Sequence, residues 1–410
     1  MINNKKTINK IIYLLMTIFI CFNTVAIGSK EDKKIHNNII IEEVNVGKLT
    51  KKEAIKKLEE NYELKAININ HENKKWTIKP KDIDLNFHIG EKVEEAFNYT
   101  RSEKILENIK RKINLDRNKT HNIKLKATYD EIKLNKIIQD ICKEININSV
   151  DATFKIETSG EIKRTKSKEG KKVDSSRVKE EIYNMINKKK IKDVNLSIIT
   201  LYPKISSEQV ESINSVLGQF STSFNNNTSR GSNIHVAGES SSDVLLMPGE
   251  TFSYNETTGA RNWVNGYKSA PVIIGGKIVN GEGGGVCQVS TTIYNAALLS
   301  GMRIDEVHNH TIPSRYAQRG RDATVSYGYR DLKFTNTFSH PIYIKNTVGN
   351  GAITSKIYGC KLDREKIVLK IEEQYTKDKI TVQTYRIYLD EENNIMRKEL
   401  VNTSIYKYPK

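Results

Sequence analysis

The chain has 410 residues, with 66 Lys and Arg against 49 Asp and Glu, a formal charge of +17 and 37% hydrophobic residues. That length suits two or three domains, and its single long apolar run excludes a polytopic membrane protein. Patterned Val, Ile and Leu exclude wholesale disorder, and four cysteines (Cys21, Cys142, Cys287, Cys360) are too few for a disulfide framework or a multi-thiolate zinc site.

Residues 1–28 begin with Lys5, Lys6 and Lys10, run apolar from Ile11 to Phe22, and carry no further charge until Lys30. This is the pattern of an export segment, and both a signal peptide and an N-terminal membrane anchor fit it. The rest of the protein is expected to be extracytoplasmic, secreted or membrane-anchored. Lysine is densest between Lys30 and Lys204, with runs such as Lys188-Lys189-Lys190. Outside the cytoplasm such an excess attracts polyanions: anionic wall polymers, lipid headgroups or the carboxylates of peptide-bearing glycan. No zinc-finger, RNA-binding or basic-zipper pattern occurs, so no nucleic-acid partner is expected.

The fold class expected is α+β. Residues 31–120 read as one α+β unit: a strand at Ile39–Val46, a helix opened by the capping box Thr50 and Glu53, strands at 66–70 and 75–79, and an amphipathic stretch around Val93, Ala96 and Phe97. Residues 121–205 read as a second unit. It has a strand from Ile123, a helix on Leu134, Ile137, Ile138 and Ile141, a strand at 152–156, a helix at 178–186 and a strand at 194–201. From about Ser206 lysine thins and Gly, Ser, Thr, Tyr and Asn rise, marking a third α+β domain over 206–360. A β-rich extension follows over 361–410.

The densest chemistry lies in Gly283-Gly284-Gly285-Val286-Cys287-Gln288-Val289-Ser290 and the helical pattern after it, which Gly301 is placed to stop. Glycines before Cys287 put a thiol at a helix N-terminus, where the dipole and free amides favour a thiolate and receive an oxyanion. A nucleophilic cysteine also needs a base. His308 and His310, two apart and so on one side of an extended strand, are the candidates, His310 preferred, with Asp322 or Asn309 to orient the ring. Amides of Gly285 and Val286 or Gln288 are the expected oxyanion donors. Arg261, Lys268 and Arg315 are candidates to hold a substrate carboxylate, and Tyr267, Gly284, Gly285, Gln288 and Ser290 to line the groove. The alternative for Cys287 is a packed or ligand-contacting side chain. A Cys/His/His set also suits zinc, with Asp322 or water fourth, but neither a His-x-x-x-His helix nor a Cys pair supplies the framework. No metal and no cofactor are expected.

The string Gly284-Gly285-Val286-Cys287-Gln288-Val289-Ser290-Thr291-Thr292-Ile293-Tyr294-Asn295-Ala296-Ala297 resembles the hallmark of the VanW family, named after an accessory product of vancomycin-resistance clusters. Pro248-Gly249-Glu250-Thr251-Phe252, Gly266-Tyr267-Lys268-Ser269-Ala270-Pro271, Asn309-His310, Gly320-Arg321-Asp322-Ala323 and Pro341-Ile342-Tyr343-Ile344 follow the family order, so the resemblance covers roughly 218–360. The upstream residues, through Val46-Gly47-Lys48-Leu49-Thr50, Ala152-Thr153-Phe154 and Gly170-Lys171-Lys172-Val173-Asp174, resemble the peptidoglycan-binding domain that precedes VanW in exported Gram-positive proteins. The resemblance implies an envelope location and a wall polymer as partner; it does not supply a reaction. Two functions stay open: a wall-binding module that presents a Gly/Cys/His cleft to a wall peptide or glycopeptide, and a thiol-dependent acyl transferase or hydrolase acting on stem peptides.

Overall fold

The computed structural model describes residues 33–157, 159–274 and 277–408. The expected export segment at 1–28 lies outside them. Among the described residues no helix is long and apolar enough to cross a membrane. The architecture is α+β, in two compact units: the residues through Asn148 together with Gly170–Leu201, and Ser149–Glu169 together with Tyr202 onward.

In the first unit, strand Ile39–Ile41 pairs antiparallel with Val44–Asn45 and parallel with His121–Ile123, and Ile67–His71 pairs antiparallel with Lys74–Ile78 and parallel with Val194–Asn195. Both parallel pairings cross the boundary expected near residue 120, so 31–120 and 121–205 share their sheets. The strand expected over 194–201 divides: Val194–Asn195 stays with the parallel partner, while Ile198–Leu201 turns to Gly170–Val173. Thr50 and Glu53 close the capping box at the start of helix Lys51–Asn61, which buries Ala54 and Leu58. Asp130 caps helix Glu131–Ile145, whose Leu134, Ile138, Ile141 and Ile145 form one buried stripe against Ile67, Ile69 and Ile182.

The second unit is centred on a four-stranded antiparallel sheet in the order Ser215–Ser223, Ala352–Gly359, Ile342–Gly349, Val244–Leu246. Helix Val286–Leu299 lies on this sheet, burying Val289, Ile293, Ala296 and Ala297 with Ile344, Ile353 and Ile357. Backbone and helix approach closely at Gly218, where a Cβ would stand 2.8 Å from the Ala296 carbonyl. Gly301, at φ +81°, ends the helix in the left-handed conformation, and the Met302 amide returns to the Ala297 carbonyl at 3.1 Å. Hairpin Thr153–Ile156 and Ile162–Thr165 belongs to this unit, with Phe154 packed edge-on against Tyr343. The C-terminal residues form a meander of Lys366–Tyr375, Lys379–Leu389 and Ile395–Lys407.

Candidate active site

Hairpin Ser269–Ile274 and Lys277–Glu282 delivers the chain to the glycines. Gly283 and Gly285 have φ of +73° and +112°, and a Cβ on Gly285 would meet the Arg230 carbonyl at 2.9 Å. Each needs glycine, because an L side chain is strained at that φ and Gly285 has no room for one. Gly284 is equally crowded, 2.7 Å from the Pro271 carbonyl at its Cβ position, and its own carbonyl accepts from Asn233 Nδ2 at 2.9 Å. These glycines serve the turn. Gly285 is the helix N-cap, so Cys287 lies in the first helical turn, half-buried, with Sγ 3.5 Å from the Val325 carbonyl.

Of the predicted oxyanion donors, the Val286 amide is spent on the Gly283 carbonyl at 3.1 Å and the Gln288 amide on Gly285 at 3.0 Å. The amides of Gly285 and Cys287 itself have no acceptor among the described residues.

His310 and Asp322 join Cys287. The Asp322 carboxylate, 1% exposed, accepts from His310 Nδ1 at 2.6 Å and from the His310 amide at 2.7 Å through the same oxygen, Oδ2. The Cys287 thiol interacts with the same ring. Burial opposes charge on both groups, but hydrogen bonding and Coulomb attraction between Cys287 and His310 outweigh it. The thiol is held below its ordinary value, helped by Val325 and by the Arg261 guanidinium. Asp322 and Cys287 together raise the imidazole to about 9. Both shifts run toward a thiolate beside an imidazolium. Tyr316 Oη stands 3.4 Å from His310 Nε2, and the Arg230 guanidinium lies 5.8 Å from the Tyr316 ring centre.

His308 is elsewhere. The preceding strand, Arg303–Glu306, stops before it, so the two-residue alternation that would align the rings does not continue, and His308 Nε2 pairs with Glu306 at 3.0 Å. Asn309 bonds the His310 and Ile405 carbonyls. The imagined Cys/His/His zinc set is thereby divided. The described His, Cys and carboxylate side chains close enough to share an ion are His340, Cys360 and Asp363, outside this cluster.

Two expected groove residues are occupied internally. Ser290 is 0% exposed and donates to the Ala323 carbonyl at 2.7 Å. Gln288 is 1% exposed, donates to Thr222 and Ser223, and accepts from Arg230 at 2.8 Å. Both brace the turn and are not free to contact a ligand. Arg315 is exposed. Tyr267 is buried, with an unpartnered hydroxyl. Arg261 is the notable one: Nη2 donates to Thr258 at 3.0 Å, while Nε and Nη1 are buried without an acceptor. Its guanidinium lies 5.3 Å from the Tyr254 ring centre and 5.6 Å from that of Tyr327.

Residues 229–358 match the family model described as "VanW like protein". This part of the chain is a VanW-like domain. It holds the whole glycine turn, Cys287, His310 and Asp322. Residues 76–195 match the model described as "Putative peptidoglycan binding domain". The chain is 40% identical over 162 residues to "Uncharacterized protein YoaR" of Bacillus subtilis (strain 168), covering 39% of this chain and 54% of that relative. It is 28% identical over 134 residues to "Vancomycin B-type resistance protein VanW" of Enterococcus faecalis (strain ATCC 700802 / V583), covering 32% of this chain and 49% of that relative. The matches therefore span about half the length of these curated relatives. No solved structure matches.

Sequence reasoning missed Tyr316, Arg230 and Tyr406. Tyr406 is wholly buried, and its hydroxyl bonds Asp322 Oδ1. No local pattern marks it, since 84 residues separate the pair.

Proposed function

We propose that this protein grips the wall through its basic N-terminal residues and carries out thiol-dependent acyl transfer or hydrolysis on peptidoglycan stem peptides. The observation that supports this reading is the chain of contacts Cys287, His310, Asp322 at a glycine-built helix start. The Cys287 thiolate attacks an amide carbonyl of the stem peptide, forming a C–S bond as the oxyanion takes the free amides of Cys287 and Gly285. The C–N bond then breaks as the His310 imidazolium gives its proton to the departing amine. Water or a second amine attacks the thioester, neutral His310 removes its proton, and the thiolate leaves. Asp322 holds the ring and its charge throughout.

Arg261 suits the substrate. Two buried, unpartnered N–H groups beside the thiol are matched by a peptide carboxylate, which stem peptides carry. The test is incubation of isolated sacculi and soluble stem peptides with the protein and with Cys287→Ala. Expected are a change in peptide composition and an acyl adduct on Cys287 by mass spectrometry, both lost in the variant. Wall binding retained with no adduct and no change in composition overturns the chemistry and leaves the non-catalytic binding module.

A further inference from the structure

The carboxylate of the triad is held by a part of the chain that the VanW match does not include. Asp322 uses Oδ2 for both His310 bonds, and its other oxygen, Oδ1, is taken by the Tyr406 hydroxyl from the last strand of the meander. That hydroxyl also accepts the Gly320 amide at 2.7 Å, so it is fixed at both ends. The same meander clasps the loop elsewhere: Thr384 donates to the Gly320 carbonyl at 2.8 Å, the Lys407 amide to Thr311 at 2.9 Å, and Asn309 to Ile405 at 2.8 Å. Tyr406 is 0% exposed, a large cost for a hydroxyl without a strong acceptor.

We propose that Tyr406 is a positioning residue for the Cys287 site: it fixes the rotation of the Asp322 carboxylate, so that His310 presents its ring to the thiol. The meander over 366–407 is thus part of the working site, outside the family match over 229–358. Burial and the Asp322 charge raise the phenol above its ordinary value, which favours its protonated, donating form. The groups facing the pair are Arg261, Tyr254 and Tyr316 toward Cys287, and Tyr294 and Tyr316 toward Asp322. Without the phenol the carboxylate is free to turn, the imidazolium loses its orientation, and the thiolate loses its partner.

This inference rests on the ion pair invoked for the proposed chemistry, and the experiment separates the two. Iodoacetamide alkylation of Cys287 is followed from pH 5 to 10 in the full chain by peptide mass spectrometry, with Cys142 and Cys360 as internal references. Three proteins are compared: unaltered, Tyr406→Phe, and Tyr388→Phe, which removes another buried hydroxyl of the same meander, bonded to Glu399 and not to Asp322. Expected are a Cys287 edge below that of the references in the unaltered protein, an upward displacement in Tyr406→Phe with the rate at pH 7 about tenfold lower, and no displacement in Tyr388→Phe. Superposition of Tyr406→Phe on the unaltered profile, or an equal displacement in Tyr388→Phe, overturns the positioning role while leaving the chemistry standing. A Cys287 edge no lower than the references in the unaltered protein sinks both. Should Tyr406→Phe not fold, 13C-labelled Tyr406 in the unaltered chain is read instead: its ring resonance must follow the His310 titration near about 9, and a resonance that stays flat refutes the role.

Discussion

Each polar side chain around Cys287 has a distinct electrostatic task. His310, raised to about 9 against opposing burial, keeps its proton well into the alkaline range. Replacing Asp322 with Asn removes the anion that holds the proton, which weakens the imidazolium as a partner for the sulfur, so the pH at which Cys287 becomes reactive should rise by about one unit or more, read by alkylation rate against pH. The same raised value stabilises the folded state: the contribution is full below about 6.5 and is lost as pH rises through about 9. Gly285→Ala tests the turn itself. At φ +112° and 2.9 Å from the Arg230 carbonyl, a methyl should cost about 1–3 kcal/mol and displace Cys287, visible as a lower Tm together with slower alkylation.

Helix Val286–Leu299 shows what periodic reasoning recovers. Its start at the glycines, its stop near Gly301 and its apolar positions are legible because glycine and a 3.6-residue period are local signals. His308 was misjudged because the alternation of a strand was extended past Glu306, where pairing ends. Helix Ile105–Asp116 was not anticipated. Its Ile105 and Leu106 are 72% and 84% exposed, so its apolar residues do not define a buried stripe. Ile293, 0% exposed between helix and sheet, is the element's anchor; Ile293→Ala should cost about 2–5 kcal/mol in denaturant unfolding. At the other unit's first helix, Thr50→Ala removes the hydroxyl half of the capping box and should cost about 1 kcal/mol.

For the whole molecule, the +17 charge is what the proposed grip on an anionic wall draws on. Co-sedimentation with sacculi should fall steeply between 50 mM and 500 mM salt, whereas alkylation of Cys287, an internal property, should change little. Binding insensitive to salt would show that lysine charge is not the grip. The division of residues 31–205 into successive units at 120 does not hold, because parallel pairing joins strands far apart in sequence, Ile39 with His121 and Ile69 with Val194, and composition carries no trace of such pairing. Tyr406 escaped detection for the same reason: its role is set by tertiary neighbours. It also ties the two ends of this unit's sequence together: Asp322 stands 84 residues before the phenol that bonds it, so on the reading proposed above a chain that stops short of its final strand holds the sulfur and the imidazole but lacks the brace on the carboxylate.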